Sequence, residues 1–327
     1  MKLLLLLVPV LIGGIYGLAE SQPKIQLLPK EDESLVEVRI DGELFTSFRY
    51  GEPLKKPVLW PVISANGAEI TRHFPFKVKV GERQDHQHHV GIWFNYGDVN
   101  GLDFWNNSTA RKDEKAPKYG TIVHESIERS QNGEESATLD THSAWQDYQG
   151  NTLLREKTHY KFWLQGDTRI IDRRAELSAL LDSVKLTDNK EGMFAIRLTT
   201  ELELPNEKNE EKGANGDYLS SEGLSGGKVW GTRASWMKLE GEIEGKAVAI
   251  VIYDHPDNPG YPTHWHARGY GLFAANPLGQ KVFSKGALAL NYYLLKGEKA
   301  SFQYRLAVFS HDPTVEEIEN LAYQTKD

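Results

Sequence analysis

Most of the chain has the period-two spacing of β-strands, in which successive side chains face opposite sides of a sheet. The clearest example runs from Leu154 to Leu164, where leucine, tyrosine and phenylalanine at even positions alternate with mostly basic odd positions. A turn at Gly166-Asp167 follows, and residues 175–181 alternate again. This pattern predicts a long hairpin of two strands.

Shorter alternating segments predict further strands on both sides of this hairpin. They cover residues 34–40, 44–50, 68–74, 193–203, 247–253, 288–294 and 302–309. Only the tail is typical of a helix, with Asp312 as the predicted cap and Pro313 at the first helical position. Without repeats or linkers, residues 20–327 are predicted to form one all-β domain, a large antiparallel β-sandwich of the supersandwich type with a short C-terminal helix.

The first 19 residues have the pattern of an export signal. Lys2 precedes a short apolar run, and Gly17-Leu18-Ala19 offers small residues for cleavage after Ala19. An uncleaved N-terminal anchor is the alternative. No later segment approaches 18 apolar residues, so we expect no stable membrane span after cleavage and a periplasmic or secreted protein.

Composition narrows the possible partners and chemistries. The formal charge of −8 and the lack of basic blocks argue against nucleic acid as a partner. The absence of cysteine excludes thiol catalysis and cysteine-bound zinc. No phosphate-binding glycine loop, nucleophile elbow, His-Glu-x-x-His motif or dinucleotide fingerprint occurs. A small molecule or carbohydrate is the remaining kind of ligand, and 34 aromatic residues provide ring faces for it.

Histidines are the main candidates for chemistry, and seven of the eleven fall in two stretches. They are His73, His86, His88 and His89, followed by His255, His264 and His266. In extended chain, His86 and His88 would share one face, as would His264 and His266, whereas His89 would face away. Asp85, Asp103 and Asp254 lie close enough in sequence to orient a ring.

Three interpretations of the histidines remain open at this point. His86, His88, His264 and His266 could bind a divalent transition metal as cofactor, since imidazole suits zinc, iron and copper. The same rings could transfer protons, because imidazole titrates near neutral pH. They could also be ordinary structural or surface residues. Residue spacing alone does not separate these possibilities.

Three arginines could hold a polar ligand. Arg268 follows the second histidine stretch, Arg197 lies in an apolar segment, and Arg233 lies between Trp230 and Trp236. A forked guanidinium suits anionic or polyhydroxyl groups. Alternatively, Arg268 pairs with a surface carboxylate and Arg197 is a buried ion-pair residue.

Several motifs in order resemble one bacterial family. They are DHQHHVGIWFNYGDVNGLDFW, DNKEGMFAIRL, VWGTRASW and YDHPDNPGYPTHWHARGYGLFAANP, and together they extend the resemblance from about Leu35 to Phe309. The family is catalogued as "methane oxygenase PmoA" and also as a domain of unknown function. The particulate oxygenase is an integral membrane complex, so its name fits poorly to a chain without later spanning segments. A weaker resemblance to galactose-mutarotase-like sandwiches implies a carbohydrate ligand on a concave sheet.

The leading hypothesis is an exported enzyme that acts on a carbohydrate or sugar derivative through histidine acid–base chemistry. The expected catalytic residues are His86, His88, His264, His266, Asp103 and Glu191. The expected substrate-binding residues are Arg197, Arg233, His255, Arg268, Trp93, Trp105, Trp265 and Tyr270. A noncatalytic carbohydrate-binding protein and a metal-dependent oxygenase are the alternatives.

Overall fold

The computed structural model describes residues 24–110 and 113–324, so the predicted signal segment at residues 1–19 lies outside the described residues. Its first nine strands are β1 (Ile25–Lys30), β2 (Leu35–Ile40), β3 (Glu43–Arg49), β4 (Val58–Val62), β5 (Ile92–Tyr96), β6 (Thr121–Gln131), β7 (Ser136–Gln146), β8 (Thr152–Gln165) and β9 (Thr168–Ala179). The following strands are β10 (Ser183–Leu186), β11 (Gly192–Arg197), β12 (Asp217–Ser220), β13 (Trp236–Ile243), β14 (Lys246–Asp254), β15 (His264–Arg268), β16 (Leu272–Asn276), β17 (Tyr292–Leu295) and β18 (Lys299–Phe309).

Helices are short and few in the described part of the chain. The two α-helices are α1 (Gln280–Phe283) and α2 (Val315–Glu319). The 3-10 helices are Glu31–Glu33, Asp113–Lys118, Thr200–Leu202, Glu210–Lys212 and Gly226–Val229. No helix among the described residues has the length and apolar character needed to cross a membrane.

Two eight-stranded antiparallel sheets form the body of the protein. Sheet A has the strand order β1-β2-β3-β4-β5-β11-β16-β15, and sheet B has the order β12-β13-β14-β18-β9-β8-β7-β6. Strands β10 and β17 form a separate pair. The predicted all-β antiparallel sandwich is therefore confirmed.

Aromatic side chains pack between the sheets. Phe194 of sheet A stacks on Tyr304 of sheet B with ring centroids 5.0 Å apart, and Phe94 meets Trp145 edge-on at 6.1 Å. The predicted hairpin of β8 and β9 turns at Gly166-Asp167, and the even positions of β8 from 154 to 162 are buried as their alternation predicts. Burial of this apolar face is what orders the long strands.

Four local predictions are wrong. Residues 68–74 form only isolated bridges, at Glu69 and Thr71. The strand predicted at 193–203 ends at Arg197, and the one predicted at 288–294 begins only at Tyr292. The tail helix is capped by Thr314 rather than Asp312, because the Thr314 side chain and the Glu317 carboxylate each accept a hydrogen bond from the other's backbone N–H.

Candidate active site

The site lies on the face of sheet A that points away from sheet B. Alternation along β15 directs His264, His266 and Arg268 to this face, whereas Trp265 points into the core. Register then aligns Trp93, Ala195, Ala274 and His266 in one row across four neighbouring strands. With strands roughly 4.8 Å apart, this row spans about 14 Å.

Two alanines in the middle of that row leave room for a tryptophan from a loop. Trp105 packs in one buried cluster with Ala195 and Ala274. Its ring centroid lies 5.3 Å from that of Trp93, 5.7 Å from His89 and 6.5 Å from His266. The Trp105 ring therefore lies between the two histidine stretches at the base of the site. The sequence predicted that these two stretches meet at one site.

The first histidine stretch is a turn, not the extended segment that the sequence predicted. Arg72, only 1% exposed, donates hydrogen bonds to the backbone carbonyls of Asp85, His86 and His89. The His89 amide closes the turn on the His86 carbonyl at 2.9 Å, and His86 has a left-handed φ of +43°. A buried guanidinium therefore fixes a backbone conformation that non-glycine residues rarely adopt.

The turn brings His89 beside His86, which corrects the expectation that it faces away. The His86 and His89 rings are stacked with centroids 4.9 Å apart, and the His88 ring centroid lies 4.3 Å from that of His89. The His88 carbonyl accepts a hydrogen bond from the buried Lys56 amine at 2.7 Å. Burial lowers the Lys56 pKa to about 7, against the opposing influence of Asp103.

Asp85 and His86 form an oriented carboxylate–imidazole pair. One Asp85 oxygen lies 3.1 Å from His86 Nδ1, and the other accepts from Arg72 and Arg197, also at 3.1 Å. Burial works to raise the Asp85 pKa, but the hydrogen bond from His86 and the Arg197 and Arg72 charges outweigh it and lower that pKa. An ionised carboxylate 3.1 Å from Nδ1 favours the tautomer with the proton on that nitrogen, in which Nε2 is the acceptor.

His89 is a buried neutral ring. Burial lowers its pKa well below the usual value, and the charges of His88 and Arg197 act in the same direction. Its Nδ1 lies 3.2 Å from an Arg197 nitrogen, which only donates, so the ring proton belongs on Nε2. That Nε2 is buried and has no hydrogen-bond partner among the described residues.

His266 is also neutral. Burial lowers its pKa to about 3, the Arg268 and Lys190 charges add to this effect, and a hydrogen bond to the Lys190 backbone partly opposes it. Its Nδ1 is buried without a hydrogen-bond partner in the part of the chain that the structure describes. His266 is therefore an uncharged part of the cleft wall at neutral pH.

A second acidic pair is joined by an asparagine. Asn106 Nδ2 donates to Glu191 at 2.6 Å and to Asp103 at 2.9 Å. Burial raises the Asp103 pKa, although hydrogen bonds from Asn106 oppose the increase. Glu191 lies at the surface of the cleft, whereas Asp103 lies behind Asn106, so only Glu191 of this predicted pair is a direct candidate for substrate contact.

These side chains line a single cleft of about 330 Å³, within the usual range for small-molecule sites. Its lining residues are His86, His88, His89, Trp105, Asn106, Lys190, Glu191, His266, Arg268, Tyr270 and Leu272. The Tyr270 ring stacks on His86 at 5.4 Å, and Arg197 lies beneath it at 4.8 Å. The fully buried Arg197 thus has the paired structural role that the sequence left open.

Besides Asp103 and Arg197, five predicted site residues lie outside the cleft. His264 bonds to the Gly231 carbonyl, and Arg233 bonds to loop carbonyls including that of Pro262. His255 packs on Tyr323 near the end of β14, Trp265 is buried between the sheets, and Trp93 is buried beneath His89. Strand alternation already places Trp265 opposite His264 and His266, so this position was predictable.

The predicted metal set is not assembled. His264 does not line the cleft that contains His86, His88 and His266, and the three rings of the first stretch are stacked or edge-on against one another. No group of three His, Cys, Asp or Glu side chains within residues 24–110 and 113–324 has the arrangement of a metal site.

Three solved structures show similarity to this fold at low identity. The galactosidase domain of alpha-galactosidase-sucrose kinase AgaSK has a TM-score of 0.45 and 9% identity over 87% of this chain and 42% of its own. Alpha-galactosidase AgaB from Geobacillus stearothermophilus has a TM-score of 0.46 and 11% identity over 87% and 41%. The GalM/aldose epimerase homologue from C. elegans has a TM-score of 0.33 and 9% identity over 88% and 99%.

This chain thus spans about two fifths of the galactosidase chains, and no curated protein matches its sequence. One protein family does match, over residues 35–323, and it is described as a family of unknown function. That description carries no activity, so the methane-oxygenase label suggested by the motifs remains a prediction. The chain belongs to the family of unknown function DUF6807.

Proposed function

We propose that this protein is an exported enzyme that acts on a carbohydrate or sugar derivative by histidine acid–base chemistry. The observation that carries the proposal is the Asp85–His86 pair, which faces a cleft shared with His266 and Glu191. Export rests on the predicted signal segment alone.

His86 is the proposed general base. It is 42% exposed, so a substrate hydroxyl or acidic C–H group has access to its ring. Stacking on His89 and Tyr270 holds the ring beside Asp85, and that carboxylate stabilises the imidazolium formed when Nε2 takes a proton. The left-handed backbone at His86 is consistent with such a role, because strained conformations concentrate at functional sites.

Glu191 and His266 are the proposed partners of His86. Asn106 holds the Glu191 carboxylate by a short hydrogen bond, which positions it to accept a hydrogen bond from a substrate hydroxyl, while the imidazolium of His86 returns its proton to the substrate. His266 forms part of the cleft wall, where Arg268 and Lys190 offer hydrogen-bond donors and Glu191 and His86 offer acceptors. The cleft therefore contains both donors and acceptors, as recognition of a polyhydroxyl compound requires.

The first experiment is a thermal-shift screen of purified protein against sugars and uronic acids, since a ligand that binds the native state raises its melting temperature. Ligands that bind are then incubated with the protein, and their conversion is followed by proton NMR. We expect turnover by the wild type, loss of turnover with retained binding in His86→Gln, and normal turnover in the control His142→Gln, which changes a surface ion pair on β7.

Two results would contradict the proposal. Binding without conversion by the wild type would favour the noncatalytic carbohydrate-binding alternative. Unchanged turnover in His86→Gln would show that the Asp85–His86 pair is not the base.

A further inference from the structure

Arg268 differs from the paired arginines of the protein. Its guanidinium forms neither a hydrogen bond nor an ion pair with any residue in the described ranges, although its side chain is half-buried and lines the cleft. By contrast, Arg72 and Arg197 share Asp85, Arg173 pairs with Glu156, and Arg305 pairs with Asp172. The prediction that Arg268 pairs with a surface carboxylate is therefore wrong.

Two aromatic rings hold this guanidinium in place. Its central carbon lies 5.4 Å from the Trp230 ring centroid and 5.8 Å from that of Tyr270. Contacts of this kind use the flat faces of the group and leave the N–H donors at its edge available. A carboxylate matches that edge with two parallel hydrogen bonds.

The local charge also favours an anion. The chain carries a formal charge of −8, yet Arg268 and Lys190 both line the cleft, and Lys190 lies 3.4 Å from the carboxylate of Glu191. Of the other nearby carboxylates, Asp85 already pairs with Arg72, Arg197 and His86, and Asp103 is held behind Asn106. One cation in the cleft is therefore left without a counter-charge from the described residues.

We propose that Arg268 binds the carboxylate of an acidic sugar, so that the substrate class of the cleft is a uronic acid or a uronate-containing saccharide. This inference rests on the proposed function, because it assigns a substrate class to the same site. His266 precedes Arg268 by two residues on the same face of β15. A sugar anchored at Arg268 therefore lies against the part of the cleft wall that His266 forms.

The test compares matched pairs of neutral sugar and uronate by titration calorimetry: glucose with glucuronate, galactose with galacturonate, and mannose with mannuronate. We expect at least tenfold tighter binding of one uronate than of its neutral partner, with the preference weakened by salt. Arg268→Gln should remove this preference, and Arg268→Lys should retain part of it because the charge remains. The control Arg155→Gln, at an exposed ion pair on β8, should have no effect.

The outcomes separate the two proposals. If the wild type binds neutral sugars as well as uronates, or if Arg268→Gln keeps the preference while its melting temperature is unchanged, the acidic-sugar inference is wrong and the proposed function stands. If no saccharide of either kind binds, both proposals fail.

Discussion

Replacing Asp85 by asparagine is the most informative single change, because one carboxylate serves three cationic or titratable groups. Its oxygens lie 3.1 Å from Arg72, Arg197 and His86. The side chains of Arg72 and Arg197 are 1% and 0% exposed. An asparagine preserves the size of the side chain but leaves two buried guanidinium groups without their counter-charge.

The expected cost follows from that burial. Removing one partner of a buried ion pair lowers the free energy of unfolding by roughly 3–5 kcal/mol. Asp85 itself is 38% exposed, so solvent screens part of the interaction. We therefore expect Asp85→Asn to lose free energy of unfolding at the lower end of this range, about 3 kcal/mol. Because folding lowers the Asp85 pKa from 3.8, this contribution is present at neutral pH and is lost as the pH falls below about 4.

Urea denaturation, followed by tryptophan fluorescence, gives the difference in unfolding free energy between the wild type and Asp85→Asn at pH 7 and again near pH 3. The control is Asp182→Asn, because Asp182 is fully exposed, and its change should stay within about 0.5 kcal/mol. A loss below about 1 kcal/mol for Asp85→Asn at pH 7, or an equal loss at both pH values, would refute the claim that this carboxylate neutralises the buried arginines.

Three further predictions concern single side chains outside the proposed chemistry. Hydrogen bonds to Glu69 and Glu82 raise the His73 pKa to about 9, so the stability of the wild type relative to His73→Gln in urea titrations should fall by roughly 2–3 kcal/mol between pH 6.5 and 9, and a constant difference would contradict the assignment. Burial lowers the Lys56 pKa to about 7, so the stability of the wild type relative to Lys56→Met should rise between pH 7 and 10.5, and a constant difference would contradict the assignment. Thr314→Ala should cost about 1 kcal/mol in the same assay through loss of the α2 cap, and a cost near zero would count against the capping role.

Period-two alternation was enough to predict the sandwich and much of the orientation of its side chains. The buried face of β8 and the shared face of His266 and Arg268 both follow from residue spacing within one strand. The same rule puts Trp265 in the core, against its predicted role as a sugar platform. These features are local, so the sequence contains the information needed to predict them.

The details of the cleft depend on contacts between distant parts of the chain. The turn at His86 is fixed by Arg72, and the position of Glu191 depends on Asn106, 85 residues away in sequence. A buried arginine before the histidines and an asparagine after Trp105 were the available signals, but neither has a characteristic spacing. His264 lies outside the site because the cleft does not extend along β15 from His266 towards His264. Strand spacing alone does not predict where a cleft ends.

The central claim is that Asp85 and His86 act together as a catalytic base. The most direct test is to measure kcat for His86→Gln and for the Asp85→Asn/His86→Gln double variant on a sugar identified in the screen. General-base loss predicts a decrease of about 10²–10⁴ in kcat for His86→Gln. If Asp85 acts through His86, the double variant should be no slower than His86→Gln, because residues that act as a unit are not additive. Full activity in His86→Gln, or a further multiplicative loss in the folded double variant, would contradict the claim.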